Sequence, residues 1–353
     1  MLTQEIEEEL GEEYAVSSIK LSKDLREAAL QLKGANLRYT VDRFYQLQRD
    51  RTRAENQLKE NATPNALLTF SRDHAWKLEC MIRLAMNYYV KSKPVGVWLL
   101  SVHGIGPVLA AGLMAHLDVT KAKSAASFWR FAGLDPTVAW EGKAAVKKFV
   151  MEQIEASVDI EQAVIACAGI KGRSVQTLMD QATMKPDGTA KPLTADSLTK
   201  ALSRQPWNAR LKVLCWKAAL SFVRQSGSEK CFYGKLYRTR KAREVRANEA
   251  GEYAAQARTI LTDKNFDRST IARKAYEEGR LPDGHIDNRA RRMVEKLFLS
   301  HIYQVMFEVE YQKPAAIPYV FAFRGHDFNH YLRPPNWEAG FAECGFRKPS
   351  IAM

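Results

Sequence analysis

Apolar residues recur at helical spacing through most of the chain. Leu78, Met81, Ile82, Ala85, Tyr88 and Tyr89 follow the i, i+3, i+4, i+7 rule and predict a helix over 65–90. Val41, Phe44, Tyr45, Ala54 and Leu58 give a looser stripe before it. Thr63-Pro64-Asn65 between the two reads as a turn and helix start, so the pair predicts an antiparallel helical hairpin. Residues 95–136 read as short apolar helices parted by glycine turns. Met293, Leu297, Ile302, Val305 and Val309 predict a helix over 288–309, and 317–323 is the one strand candidate. Two stretches are more polar and turn-rich, 143–200 and 247–286, and read as insertions. The expected fold is mainly α: a helical bundle with a helix-hairpin-helix core, an N-terminal helical hairpin and a minor β element near the C-terminus. The expected domains are an arm or scaffold at 1–94, a central helical domain at 95–310 that carries both insertions, and a strand and tail at 311–353.

Residues 95–117 form an uncharged run of 23 residues, long enough to cross a bilayer. His103-Gly104-Ile105-Gly106-Pro107 sits at its centre, where two glycines and a proline would interrupt a single helix, so two short buried helices are expected instead. The first thirteen residues hold six glutamates and no Lys or Arg, unlike a secretory signal. Five widely spaced cysteines without a CxxC pair argue against a disulfide scaffold or a four-cysteine zinc site. A cytoplasmic, nucleoid-associated protein is expected, with no membrane partner and no cofactor. Lys and Arg number 53 against 40 Asp and Glu, a net charge of +13 over 353 residues. That surplus makes nucleic acid the leading partner.

The sharpest local signal is Val102-His103-Gly104-Ile105-Gly106-Pro107-Val108-Leu109, which has the form of a helix-hairpin-helix. Glycine permits φ > 0 and lets bare amides approach a phosphate. Pro107 suits the first turn of the next helix, whose N-terminal dipole favours an anion. Gly104, Ile105 and Gly106 are therefore expected to seat a phosphate, with Ile105 turned inward and Lys121 and Lys123 flanking. The second signal is base density: residues 204–246 hold twelve cations against two anions, a local surplus of ten. Trp207, Trp216, Phe232, Tyr233 and Tyr237 are interleaved, a composition suited to a nucleic-acid groove. Arg204, Asn208, Arg210 and Lys217 are the expected lining. Gly169-Ile170-Lys171-Gly172-Arg173 resembles a phosphate-clamping GXXG loop, with Lys171 and Arg173 as contacts. His326 and His330, with Cys344 downstream, have metal-ligand spacing only if helical, and Gly325 and Pro334-Pro335 favour a loop, so no metal site is expected. The Walker loop, the GxGxxG fingerprint and the GxSxG elbow are all missing.

Residues 95–136, closing in Ala132-Gly133-Leu134-Asp135-Pro136, resemble the C-terminal domain of the DEDD-type insertion-sequence transposases guided by a bridge RNA. Ser203-Arg204-Gln205-Pro206-Trp207-Asn208 is similar to that family's basic serine–asparagine stretch, and Phe232-Tyr233-Gly234-Lys235-Leu236 to its closing segments. The resemblance implies a nucleic-acid-binding scaffold. It also implies an N-terminal nuclease domain with four acids and a serine nucleophile after the Gly-Leu-Asp-Pro element. The helical first 94 residues do not match the former. Thr137-Val138-Ala139-Trp140-Glu141-Gly142-Lys143 holds no serine for the latter.

The sequence therefore predicts a nucleic-acid-binding protein without catalysis of its own, DNA favoured, from a mobile element or phage. The rivals are an active recombinase or nuclease using Thr137 or the acids Asp118 and Asp135 with a metal, and an RNA-binding ribonucleoprotein component. A structural protein whose basic face meets an acidic partner also stands. The N-terminal helices offer a surface for a second copy or another protein.

Overall fold

The computed structural model describes residues 19–60, 63, 65–138, 140–185, 187–267, 269–318, 327 and 330–338. Among them are fifteen α-helices, one 3-10 helix and no sheet. The only extended pairing there is a single antiparallel bridge between Met184 and Ala190. Of the strand expected at 317–323, residues 319–323 lie outside the described residues, and Ile317 and Pro318 are irregular. Two compact units divide the chain: Arg130–Ala209 is the smaller, and Met1–Trp129 with Arg210–Met353 is the larger.

The larger unit begins with α1 (Lys23–Leu30), α2 (Gly34–Glu60) and α3 (Ala66–Lys91). Asn65 starts α3 by accepting the amides of Leu67 and Leu68 at 3.0 and 3.2 Å, as an N-cap should. Helices α2 and α3 pack along each other as the predicted hairpin. Arg51 ties them: it reaches the buried Glu79 at 2.9 Å and Glu55 at 2.8 Å, and its guanidinium lies 5.1 Å from the Trp76 ring centre. The uncharged run becomes α4 (Pro94–Ser101) and α5 (Pro107–His116), each opened by a proline. Helix α5 is buried against α2 and α3, with Ala110, Ala111 and Leu113 fully enclosed, so its lack of charge reflects a protein interior. A Cβ on Gly112 would lie 2.9 Å from Leu214, which fixes how closely α5 is approached. No helix among the described residues is long and apolar enough to cross a membrane.

After a 3-10 turn (Val119–Lys121) and α6 (Ala125–Phe131), the smaller unit is built from α7 (Lys143–Glu155), α8 (Ile160–Ile170), α9 (Val175–Thr183) and α10 (Ala195–Leu202). Asp159, Ser174 and Thr194 cap the last three, and Thr194 with Ser197 closes a reciprocal capping box. Its core of Val146, Val150, Val164, Cys167, Leu178 and Leu198 is its own.

The larger unit resumes with α11 (Ala209–Arg224), α12 (Phe232–Glu249), α13 (Ala254–Asp263), α14 (Ile271–Glu277) and α15 (Asp283–Tyr311). Phe222, Tyr233 and Phe298 form its aromatic centre, the first two stacked at 4.7 Å. The buried His301 is held by the Leu332 carbonyl at 2.9 Å and the Tyr233 hydroxyl at 2.7 Å. A carbonyl only accepts, so Nε2 carries the proton and Nδ1 accepts from the tyrosine. Burial pulls its pKa down to about 4.

Candidate nucleic-acid interface

The turn between α4 and α5 is where the hairpin signal falls. Gly104 has φ +96°, a conformation that favours glycine. A Cβ there would also sit 3.1 Å from Ser221 Oγ and 3.4 Å from the Phe222 ring. Ser221 Oγ donates to the Gly104 carbonyl at 2.6 Å, and the Ile105 amide donates to the Val102 carbonyl at 3.0 Å. Ile105 is only 5% exposed, so it anchors the turn in the core. Gly106 is exposed, and nothing lies within 4 Å of where its Cβ would be. Among the described residues the amides of Gly104 and Gly106 have no intramolecular acceptor. Two open amides and a helix N-terminus thus share one rigid turn, an arrangement suited to an anion. Lys121 ends the 3-10 turn and pairs with Asp118 at 3.1 Å, while Lys123 is exposed.

The second glycine signal resolves differently. Residues 169–172 end α8 in a Schellman closure: the Gly172 amide donates to the Gly169 carbonyl at 3.2 Å and Arg173 to the Ala168 carbonyl at 2.8 Å, with Gly172 at φ +59°. The Lys171 amide donates to the Cys167 carbonyl. The amides a GXXG clamp would offer to phosphate are occupied by the helix end, and this corrects the loop reading. The side chains take another role. Lys171, Arg173, Arg204 and Asn208 line one cavity of about 760 Å³ whose walls all belong to the smaller unit. Lys171 pairs with Glu141 at 2.8 Å and lies over the Phe149 ring. Arg173 is fixed by the Ala201 carbonyl at 3.2 Å and the Gln181 amide oxygen at 2.9 Å. Sequence reasoning passed over several lining residues, among them Trp140 and Glu141, read only as part of a segment lacking serine, and Gln181.

Arg210 and Lys217 lie on α11 in the larger unit. Arg210 is paired with Asp42, and the Lys217 ammonium sits 3.6 Å from the centre of the Tyr45 ring. Burial, then the nearby Arg49, lowers the Lys217 pKa. Several cations of 204–246 are likewise engaged: Lys235 and Arg238 with Glu229, Arg240 with Glu244, and Lys241 with Asp287.

The residues weighed for catalysis hold local turns. Asp135 accepts the Thr137 amide at 3.0 Å and its hydroxyl at 2.7 Å. Asp118 accepts from Thr120 in the same manner, and that hydroxyl, with Lys121, holds its carboxyl below the usual range. Among the described residues there is no group of three or more His, Cys, Asp or Glu able to hold a metal. His326 and Cys344 lie outside the described residues.

Residues 98–150 match the IS116/IS110/IS902 transposase family. This stretch is transposase-related. It runs from α4 through the Gly104–Gly106 turn and α6 into α7, and so contains the open amides and Trp140 of the cavity wall. No curated protein and no solved structure matches the chain.

Proposed function

We propose that this transposase-related protein binds nucleic acid, DNA in preference, on behalf of a mobile element, and does so without chemistry of its own. The carrying observation is the turn at Gly104-Ile105-Gly106: open amides, an exposed glycine and a helix N-terminus, all locked by a buried isoleucine. Such a site holds backbone and does not read sequence. Lys121 and Lys123 add charge beyond α5, and Arg204, Asn208, Arg210 and Lys217 add contacts elsewhere. Lys171 and Arg173 act through their side chains. Fluorescence anisotropy with a labelled duplex tests the reading. With about six phosphates neutralised, log K should fall against log salt with a slope of roughly −5. No complex at low salt would end it.

The family match supports a second reading, a strand-transfer enzyme in which Thr137, hydrogen-bonded to Asp135, supplies the hydroxyl. Nicks in supercoiled DNA with Mg²⁺ or Mn²⁺ that vanish in Thr137→Ala would favour it.

A further inference from the structure

The cavity of the smaller unit is more than a basic surface. Trp140 and Trp207 meet in its wall with ring centres 5.9 Å apart and planes at 69°, forming an aromatic corner. Both rings are fixed. The Trp140 indole N–H donates to the Ser203 carbonyl at 3.0 Å, yet the residue is 43% exposed. Trp207 packs on Gly133, where a Cβ would lie 2.7 Å from the indole. The Asn208 amide pins the next residue to the Phe131 carbonyl at 2.8 Å. Around the corner stand Lys171, Arg173 and Arg204 against the single acid Glu141, with the Gln181 amide oriented by Arg173. A space of about 760 Å³ falls in the range that encloses a small organic ligand, roughly 300–1,000 Å³.

We infer that this cavity receives one unpaired nucleotide, its base against the Trp140–Trp207 corner and its phosphate on Arg204 and Lys171. The inference rests on the nucleic-acid reading and deepens it. A flat ring gains stacking from a fixed indole, and the amide side chain offers hydrogen bonds to the base edge. Glu141 pairs with Lys171 and so competes with the phosphate for it. DNA and RNA share this chemistry.

The test uses the full chain and three labelled hairpins: fully paired, carrying one unpaired adenine, and carrying an abasic site in its place, each as DNA and as RNA. The unpaired adenine should bind about tenfold more tightly than the abasic site, the scale of one base–aromatic stack. Placed there, 2-aminopurine should lose fluorescence on binding. Trp140→Ala should erase the preference and leave paired-duplex affinity unchanged, Trp140→Phe should keep most of it, and Glu141→Gln should tighten the unpaired probe about threefold. Equal affinity for adenine and abasic hairpins, with the paired hairpin still bound, overturns the cavity inference and leaves the backbone grip intact. If no hairpin binds, adenosine monophosphate decides: quenching of tryptophan fluorescence that is lost in Trp140→Ala upholds the pocket, and no quenching overturns it. Whichever polymer gives the larger adenine preference names the nucleic acid.

Discussion

Two turns of this chain pair a glycine with an isoleucine, and they sit at opposite ends of helices. Gly104-Ile105-Gly106 leads into α5; Gly169-Ile170-Lys171-Gly172 leads out of α8. In the first, the isoleucine is buried and the glycine amides find no internal acceptor. In the second, Ile170 is 61% exposed and the amides that follow cap the helix. The cause is the polarity of the α-helix. A chain entering a helix meets unsatisfied N–H groups, whereas a chain leaving one meets unsatisfied carbonyls and folds its own amides back onto them. Similar glycine spacing therefore leaves amides open at one end and closes a cap at the other.

The contrast is sharpest at the isoleucines. Ile105→Ala should cost about 3–4 kcal/mol of stability through the cavity it leaves. Ile170→Ala should stay within about 0.5 kcal/mol. Urea unfolding of both variants reads the difference, and equal losses would break the comparison.

A pH axis comes next, because the first turn leans on Phe222, which packs against Phe298 of α15. That helix carries Glu295 and His301. Burial raises Glu295 from 4.5 to about 7, so its stabilisation is full below 4.5 and is lost as pH rises through 7. His301 is lowered from 6.5 to about 4, so its contribution is full above 6.5 and is lost as pH falls through 4. The two oppose each other between 4.5 and 6.5, and wild-type stability should be nearly flat there. Glu295→Gln should be more stable than wild type by about 3 kcal/mol at pH 8 and should expose the acid loss of His301. Denaturation across pH 4–8 checks both signs; a variant as flat as wild type would sink the assignment.

Smaller effects separate the glycines. Gly104→Ala meets both a positive φ and Ser221, and should cost about 2 kcal/mol. Gly172→Ala meets only the φ, and should cost about 1 kcal/mol with duplex affinity untouched. Gly106→Ala has open space and φ −90°, so thermal unfolding should barely move. Its new methyl would crowd a phosphate, and binding should weaken a fewfold for every sequence alike. If Gly106→Ala binds normally, the seat is not at this turn.

Much of the fold was legible in local chemistry. The periodic apolar residues placed α3 and α15 to within a few residues at most ends. The glycine–proline break split the uncharged run into α4 and α5. Asn65 marked its helix start, since capping needs only residues a few positions apart. Ile105 as an inward anchor was legible too, because the turn's chemistry is local. The Gly169–Gly172 end was not: the same letters fit a phosphate clamp and a helix cap, and only the direction of the donated bonds distinguishes them.

Sequence alone determined a helical chain with a basic surplus and a glycine turn anchored by an inward isoleucine, because those properties arise from neighbours along the backbone. Only the tertiary structure decided which partners the cations take within the chain, as when Lys217 lies over Tyr45 and Arg210 pairs with Asp42. It alone brought Trp140, Lys171 and Trp207 to one cavity. These residues lie tens of positions apart, and their meeting depends on how α7 to α10 bury a shared core, which no local spacing encodes.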